Sequence, residues 1–308
     1  MSCAVCSTGN AAAAWGARLA EVDYVPAFPI TPQTEIIDTL ARWCQDGELP
    51  AKLIMMDSEH SMLAAALGAA ATGVRVFTAT SSQGLVYAFE MLYAIAGLRL
   101  PLVLVNVSRA LANPITLEPD HNDVLSARDT GFLQFHCETS QEVLDSILLG
   151  YRLAEPAKIL LPVIVNLDGF YLSFTREPID VPDLAEVRQF LPRFAPAYSV
   201  LSDKDSVALG ATVLDPSLYT YFKHQMHRAA EEYLKRQGRF RHLFEPERDA
   251  ETIAHIQATV DDYWQTALRD SPTSFLPGNA GEDEGGGVKQ RRDNDAKTSS
   301  TSPTIWDR

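Results

Sequence analysis

The chain has 308 residues, is 46% apolar, and sets 26 Lys and Arg against 40 Asp and Glu, for a formal net charge of −14. That length can bury one large domain or two ordinary ones, and the acidity argues against nucleic acid as a partner, because phosphate binding needs clustered cations. No apolar run reaches the ~20 residues that span a bilayer, no basic segment precedes the Ala-rich N-terminal stretch, and four cysteines make no disulfide framework at this size, so the cytoplasm is the expected compartment.

Cys3-Ala4-Val5-Cys6 has no second pair at zinc-finger spacing and reads as frayed terminal thiols; with no four-cysteine motif, no iron–sulfur centre is expected on this chain itself. Residues 10–20 read as a helix and 24–28 as a short apolar strand, broken by Pro29-Ile30-Thr31-Pro32. An amphipathic helix over 34–43 is closed by Gly47 and Pro50, and a strand over 52–56 follows. A polar turn then leads into a helix beginning near Glu59. Asp57 or Ser58 can cap it, and its dipole tolerates an acid in the first turn. Ala and Gly at nearly every later position predict close packing against something flat, and no opposite charge is offered to Glu59.

Further strands are expected over 74–80, 101–107, 132–137 and 159–167, with helices over 83–98 and 140–154. A long polar loop covers 109–121, followed by a short helix. Six or so strands with helical crossovers predict an α/β fold, an open parallel sheet with helices on both faces. After Gly169 the character changes: 171–216 reads as a Pro-rich extended arm that wraps rather than packs, and 217–236 as a helix. The expected organisation is one domain over 7–245 with the arm from about 170, an additional helix within 246–269, and a disordered low-complexity tail over 270–308.

Ligands of an open parallel sheet bind outside the carboxyl ends of its strands. Thr31, Glu59, Ser81-Ser82-Gln83-Gly84 and Arg109 all fall there. Arg109 ends a buried strand with a planar cation suited to a bidentate carboxylate, the alternative being an ordinary ion pair. Thr31 is a rigidly mounted hydroxyl or a plain turn residue, and Glu59 a working acid or a simple helix-start acid. Asp120-His121-Asn122-Asp123 reads either as a metal cluster or, with Asn122-Asp123, as the cap of the next helix. His224 and His227 share a helical face without a third ligand and read as a solvated pair. His136 and Cys137 are strand neighbours that point to opposite faces and form no dyad. GxSxG, Walker and GxGxxG motifs are lacking.

Several segments carry a resemblance: Gly9-Asn10 through Trp15-Gly16, Phe28-Pro29-Ile30-Thr31-Pro32, Ser58-Glu59-His60-Ser61 and Phe77-Thr78-Ala79-Thr80-Ser81-Ser82-Gln83-Gly84-Leu85. Ser108-Arg109-Ala110, Asp120-His121-Asn122-Asp123 with Ala127-Arg128-Asp129, and Leu161-Pro162-Val163-Ile164-Val165-Asn166-Leu167-Asp168-Gly169 complete it. In order and spacing they resemble the alpha subunits of pyruvate:ferredoxin oxidoreductases, within the 2-oxoacid:ferredoxin oxidoreductases, over roughly residues 7–245. The Ser-Ser-Gln-Gly and Ser-Arg-Ala segments look more like the pyruvate than the 2-oxoglutarate branch.

The resemblance implies the pyrimidine-binding domain of a thiamine diphosphate enzyme that oxidatively decarboxylates pyruvate. Glu59 would hydrogen-bond the aminopyrimidine ring, since desolvation disfavours a carboxylate in an apolar pocket and lets it share a proton. Ser82, Gln83 and Gly84 would line the cofactor, which acts as electron sink, and Thr31 and Arg109 would contact the 2-oxoacid. Mg²⁺ and 4Fe-4S clusters would lie on partner subunits of beta, gamma and delta type, with ferredoxin taking electrons and coenzyme A the acyl group. Two alternatives stand: a subunit for a bulkier 2-oxoacid, or a non-catalytic pyrimidine-domain binding protein. Family alpha subunits continue into a second α/β domain beyond a point near Phe244-Glu245, where this chain offers one more helix and the tail, so a truncated relative is expected.

Overall fold

The computed structural model describes residues 3–203, 209 and 216–237; the helix expected within 246–269 and the tail over 270–308 lie outside them. In chain order the elements begin β1 (Cys3–Thr8), α1 (Gly9–Leu19), β2 (Tyr24–Ala27), α2 (Thr34–Gln45), β3 (Lys52–Met55) and α3 (Glu59–Ala71). Next come β4 (Phe77–Thr80), α4 (Gln83–Tyr87), α5 (Phe89–Gly97), β5 (Val103–Ser108), α6 (Asn122–Ser126), β6 (Leu133–Cys137) and α7 (Ser140–Ala154). The last are β7 (Val163–Asp168), α8 (Tyr171–Phe174), β8 (Arg176–Val181), α9 (Leu184–Phe190) and α10 (Pro216–Gln237).

β2 and β3 pair in parallel, β4-β5-β7-β6 form a four-stranded parallel sheet, and a parallel bridge from Tyr24 to Val76 joins the two. The six strands thus run β3-β2-β4-β5-β7-β6, the open parallel sheet that the alternating pattern predicts. Helices cover both faces. Val103, Val105 and Val107 of β5 face a core shared with Ala12 and Ala13 of α1 and Ile147 of α7. Leu104, next along the strand, faces the other core, with Met62 and Leu63 of α3 and Leu92 and Ile95 of α5. Strands buried on both faces explain the unbroken apolar runs.

α1 approaches α7 closely because its inner positions are small. A Cβ on Gly16 would stand 2.9 Å from Ile147 Cβ. α3 meets the flat-surface expectation on one side only: Met62, Leu63, Ala66 and Ala70 are buried, whereas Gly68 has open space beside it.

Two expectations need correction. The N-terminal cysteines are not frayed: β1 pairs antiparallel with β8, Cys3 opposite Val181 and Thr8 opposite Arg176, and Cys6 is an exposed free thiol. The stretch after Gly169 packs before it wraps. Ile179 and Val181 of β8 and Val187 of α9 are buried, a period-2 pattern too short to stand out around Pro178, which a strand of a two-stranded ribbon tolerates. Wrapping begins later, where Val200 N–H donates to Ala71 O (3.0 Å) and Ser199 Oγ to Thr72 O (2.7 Å). α10 forms where a helix is expected and rests Ala229 and Tyr233 on the core. His227 faces Glu231 along it at 3.3 Å. Among the described residues no helix is long and apolar enough to cross a membrane.

Candidate functional site

Strand order reverses between β2 and β4: the chain steps from β2 outward to β3, then returns to β4 on the other side. The crevice at their carboxyl ends is where such sheets bind ligands. Parallel register makes one sheet face polar at this end. Thr78, Leu104 and Ile164 lie in one row, and the next row on that face is Thr80, Asn106, Asn166 and His136, polar across four strands. The opposite face keeps Ala79, Val105, Val165 and Phe135. Four strands thus end by turning a hydroxyl, two amides and an imidazole, all but His136 buried, toward the side that α3 and α4 cover.

Glu59 opens α3. Ser58 caps the helix, accepting from Ser61 N–H at 3.2 Å, and leaves Glu59 only 7% exposed at the positive end of the dipole. Gly84 of α4 makes room for it: a Cβ there would meet Thr80 Oγ1 at 2.4 Å and Glu59 Oε1 at 2.7 Å. Glu59, Thr80 and Gly84 therefore converge on one point.

Thr31 is exposed on a turn that buried polar groups staple. Asn10 Nδ2 donates to Pro32 O at 2.8 Å and Gln33 Nε2 to Phe28 O at 2.8 Å. Arg109 reaches this turn, its Nη1 donating to the Thr31 carbonyl and its Nη2 to Gln83 Oε1 at 3.0 Å. Burial lowers the Arg109 pKa and the charge of Asp123 works against that shift. Ser82, with φ 48°, spends its hydroxyl inside the protein, donating toward Gln83 Oε1 (2.7 Å) and Ala110 O (2.9 Å). Thr31, Ser82, Gln83 and Arg109 thus form one bonded group, with Glu59 and Gly84 beside it.

Asp120-His121-Asn122-Asp123 disperses instead of clustering, and neither reading of it holds as stated. His121 is the N-cap of α6, and Asp120 Oδ1 accepts from Asn122 N–H at 2.8 Å. His121 Nε2 lies 2.6 Å from Asp168 Oδ1. Asp123 turns inward and is fully buried. Among the described residues no group of three His, Cys, Asp or Glu could hold a metal ion. On β6, His136 is exposed and Cys137 buried, as strand alternation requires, and burial pushes the Cys137 thiol up to about 12.

Sequence reasoning missed Asn106, Asn166, Gln33 and the inward turn of Asp123. Asn106 in Leu104-Val105-Asn106-Val107 and Asn166 in Val165-Asn166-Leu167 are lone amides inside apolar strands, and that interruption was the available signal. Buried polar atoms without a partner in the protein gather at this edge: Thr80 Oγ1, Ser81 Oγ, Gln83 Nε2, Asn106 Oδ1 and Arg109 Nε, with Asn10 Oδ1 and Gln33 Oε1 at the Thr31 turn. Buried polar groups are ordinarily satisfied, so unpaired ones gathered beside a carboxylate and a guanidinium mark a place for a polar ligand.

A family model described as pyruvate flavodoxin/ferredoxin oxidoreductase, thiamine diphosphate-binding, matches residues 15–241. The chain is 46% identical over 224 residues to pyruvate synthase subunit PorA of Methanothermobacter thermautotrophicus, covering 73% of this chain and 58% of that protein. It is 44% identical over 228 residues to ketoisovalerate oxidoreductase subunit VorA of Pyrococcus horikoshii, covering 74% of this chain and 57% of that one. It therefore spans little more than half the length of these relatives. A solved structure of 2-oxoglutarate:ferredoxin oxidoreductase from Magnetococcus marinus superposes with TM-score 0.66 over 75% of this chain and 45% of that one, at 21% identity, a likeness of fold alone.

Proposed function

Because the chain belongs to the pyruvate flavodoxin/ferredoxin oxidoreductase thiamine diphosphate-binding family, we propose that it is the alpha-type subunit of a 2-oxoacid:ferredoxin oxidoreductase acting on pyruvate. Its domain, taken as 7–245, supplies the pyrimidine half of a shared thiamine diphosphate site. The observation that carries this reading is the convergence of Glu59, Thr80 and Gly84 beside the Thr31–Gln83–Arg109 group, with buried donors and acceptors left unpaired.

The residues fit such a cofactor. A ring bearing nitrogen and amino groups needs both acceptors and donors, and Thr80 Oγ1, Ser81 Oγ and Gln83 Nε2 supply them from buried positions. Thiamine diphosphate, when bound, supplies the electron sink for decarboxylation. Glu59, buried at the head of α3, would place its carboxyl to exchange a proton with the ring nitrogen, the work of a positioned general acid–base group. Gly84 keeps the space that this carboxyl needs. Arg109 offers Nε, still without a protein partner, and its charge to the carboxylate of the 2-oxoacid, while Thr31 offers its exposed hydroxyl to the same substrate.

The remaining parts follow from the reading. Mg²⁺ and 4Fe-4S clusters sit on a beta-type partner and on gamma- and delta-type subunits, ferredoxin takes the electrons and coenzyme A the acyl group, in the cytoplasm. Met55, Tyr87, Ile115, Leu125, Phe170 and Tyr171 are exposed on segments at or following strand carboxyl ends, which supports a partner closing this edge. Similarity to a ketoisovalerate oxidoreductase subunit makes a branched 2-oxoacid the competing substrate.

In the complex reconstituted with its partner subunits, Glu59→Gln is expected to lower turnover by roughly 10²–10⁴-fold, the range that a positioned proton-transfer group contributes. That is about 3 kcal/mol or more of barrier. Near-normal turnover by the variant would sink the role.

A further inference from the structure

We infer that Asp123 is a positioning residue for the cation that takes the 2-oxoacid: acting through Ser82 and Gln83, its buried carboxylate fixes where Arg109 stands. This rests on the reading of Arg109 as the carboxylate-binding group.

Asp123 is 0% exposed, a costly place for an acid unless every lone pair is used. Four groups converge on them, three N–H donors and the Ser108 hydroxyl, whose one proton also has Asn166 Oδ1 at 2.8 Å. Oδ2 accepts from Ser82 N–H (3.0 Å) and Asn106 Nδ2 (3.1 Å), and Oδ1 from Ser108 Oγ (2.8 Å) and Val124 N–H (2.7 Å). Only an acceptor-only group suits that convergence, since the amide of an asparagine would push an NH₂ against two of the donors. None of the four is a cation, so this acid does not serve an ordinary ion pair.

What the carboxylate holds is the turn at Ser82, whose φ of 48° is uncommon for a residue with a side chain. From that turn the bonds run onward: Ser82 Oγ to Gln83 Oε1 at 2.7 Å, and Arg109 Nη2 to the same oxygen at 3.0 Å. The direction of the Gln83 amide is dictated by chemistry, because a guanidinium only donates and therefore demands the oxygen. On its far side Arg109 is held by the Thr31 carbonyl. The charge of Asp123 also reaches Arg109 through space.

The arrangement holds the cation without saturating it. Arg75, elsewhere in this protein, is paired at two points with Glu155 at 2.6 and 2.8 Å, and its charge is spent. A neutral amide between Asp123 and Arg109 leaves the guanidinium charge for an incoming carboxylate, while the buried acid supplies the rigidity.

The test uses the complex reconstituted with its partner subunits, carrying Asp123→Asn, Gln83→Ala or both. Readouts are KM and kcat for pyruvate, half-saturation by thiamine diphosphate, and equilibrium titration with oxamate, an unreactive 2-oxoacid analogue. Each single variant is expected to raise the KM and the oxamate Kd about tenfold, the factor that one hydrogen bond is worth, with thiamine diphosphate half-saturation little changed in Asp123→Asn, the variant that leaves every side chain facing the cofactor in place. The double variant should match the worse single one within about twofold, because the two residues act in series. Multiplied effects, an unchanged oxamate Kd, or an equal loss of thiamine diphosphate affinity in Asp123→Asn would overturn the inference. If Asp123→Asn does not fold, Ser82→Ala decides: it cuts the bond that carries the effect of Asp123 to Gln83, so it should weaken oxamate about as much as Gln83→Ala does, and wild-type affinity would overturn the inference. Arg109→Ala separates the two levels, since unaltered oxamate binding there defeats the reading of Arg109 itself.

Discussion

A methyl group on Gly84 would stand 2.4 Å from Thr80 Oγ1 and 2.7 Å from Glu59 Oε1, nearer than real Cβ contacts come. Both atoms belong to side chains, so the clash is relieved by turning Thr80 and swinging Glu59 aside rather than by moving backbone. At Gly169 a Cβ would meet the Ser108 carbonyl oxygen at 2.2 Å, and backbone cannot step away so cheaply. Gly84→Ala is therefore expected to leave the thermal midpoint within a few degrees of wild type while cutting turnover of the complex at least tenfold, the scale of a misplaced catalytic group. Gly169→Ala should instead lower the midpoint clearly. Equal thermal effects, or full turnover by Gly84→Ala, would refute the distinction. Legibility at this scale divides the same way. Glu59, Thr31 and Arg109 could be read because each directly follows a strand, where a parallel sheet presents its ligands. Asp123 could not, because the sequence shows an acid at a helix start and hides the four groups that strands and turns bring from Ser82, Asn106, Ser108 and Val124.

Elements are tied together at the amino edge of the sheet by Arg75, which precedes β4. It is 3% exposed and donates to Glu155 beyond α7, to Ala20 beyond α1 and to Pro192 beyond α9. Its guanidinium also lies over the Tyr151 ring at 5.3 Å. Burial pushes the Glu155 carboxyl above its ordinary value even though Arg75 pulls it down. Breaking such a pair leaves a lone buried charge and costs roughly 3–5 kcal/mol, a loss on the order of 10 °C in thermal midpoint for a domain of this size. Arg75→Met should show that loss, and adding Glu155→Leu should recover much of it, because no charge then stays unpaired; a midpoint within about 2 °C of wild type for the single variant would refute the assignment. The strands and helices from α1 to β7 were legible from apolar runs and caps, since each is fixed by local pattern and by burial on one sheet. β1 and β8 were not, because they are defined by one another: Cys3–Thr8 becomes a strand only when Arg176–Val181 returns beside it. The capping box that opens α9, with Asp183 and Glu186, sat unread in a Pro-rich stretch.

At the scale of the molecule the proposed site stays open on one side among the described residues. Thr31 is exposed and Arg109 half-buried, so water reaches the group that would take the 2-oxoacid. Electrostatic stabilisation of charge developing in a reaction is strong only where water is excluded and dipoles are fixed. Exposed apolar side chains on the same edge, Tyr87, Leu125 and Phe170 among them, have the chemistry to be covered. The purified chain alone is therefore expected to show no pyruvate-dependent reduction of a viologen dye, with thiamine diphosphate and Mg²⁺ supplied. Activity should appear on adding the beta-type subunit, and tagged chain should bring down a partner that carries iron and acid-labile sulfide. Dye reduction by the single chain would overturn the shared-site reading. Capture of a partner free of iron and sulfide, with no turnover on mixing, would favour the non-catalytic binding protein. The two failures are distinct, because the first says that this chain closes its own site and the second that the half-site has no electron path beyond it.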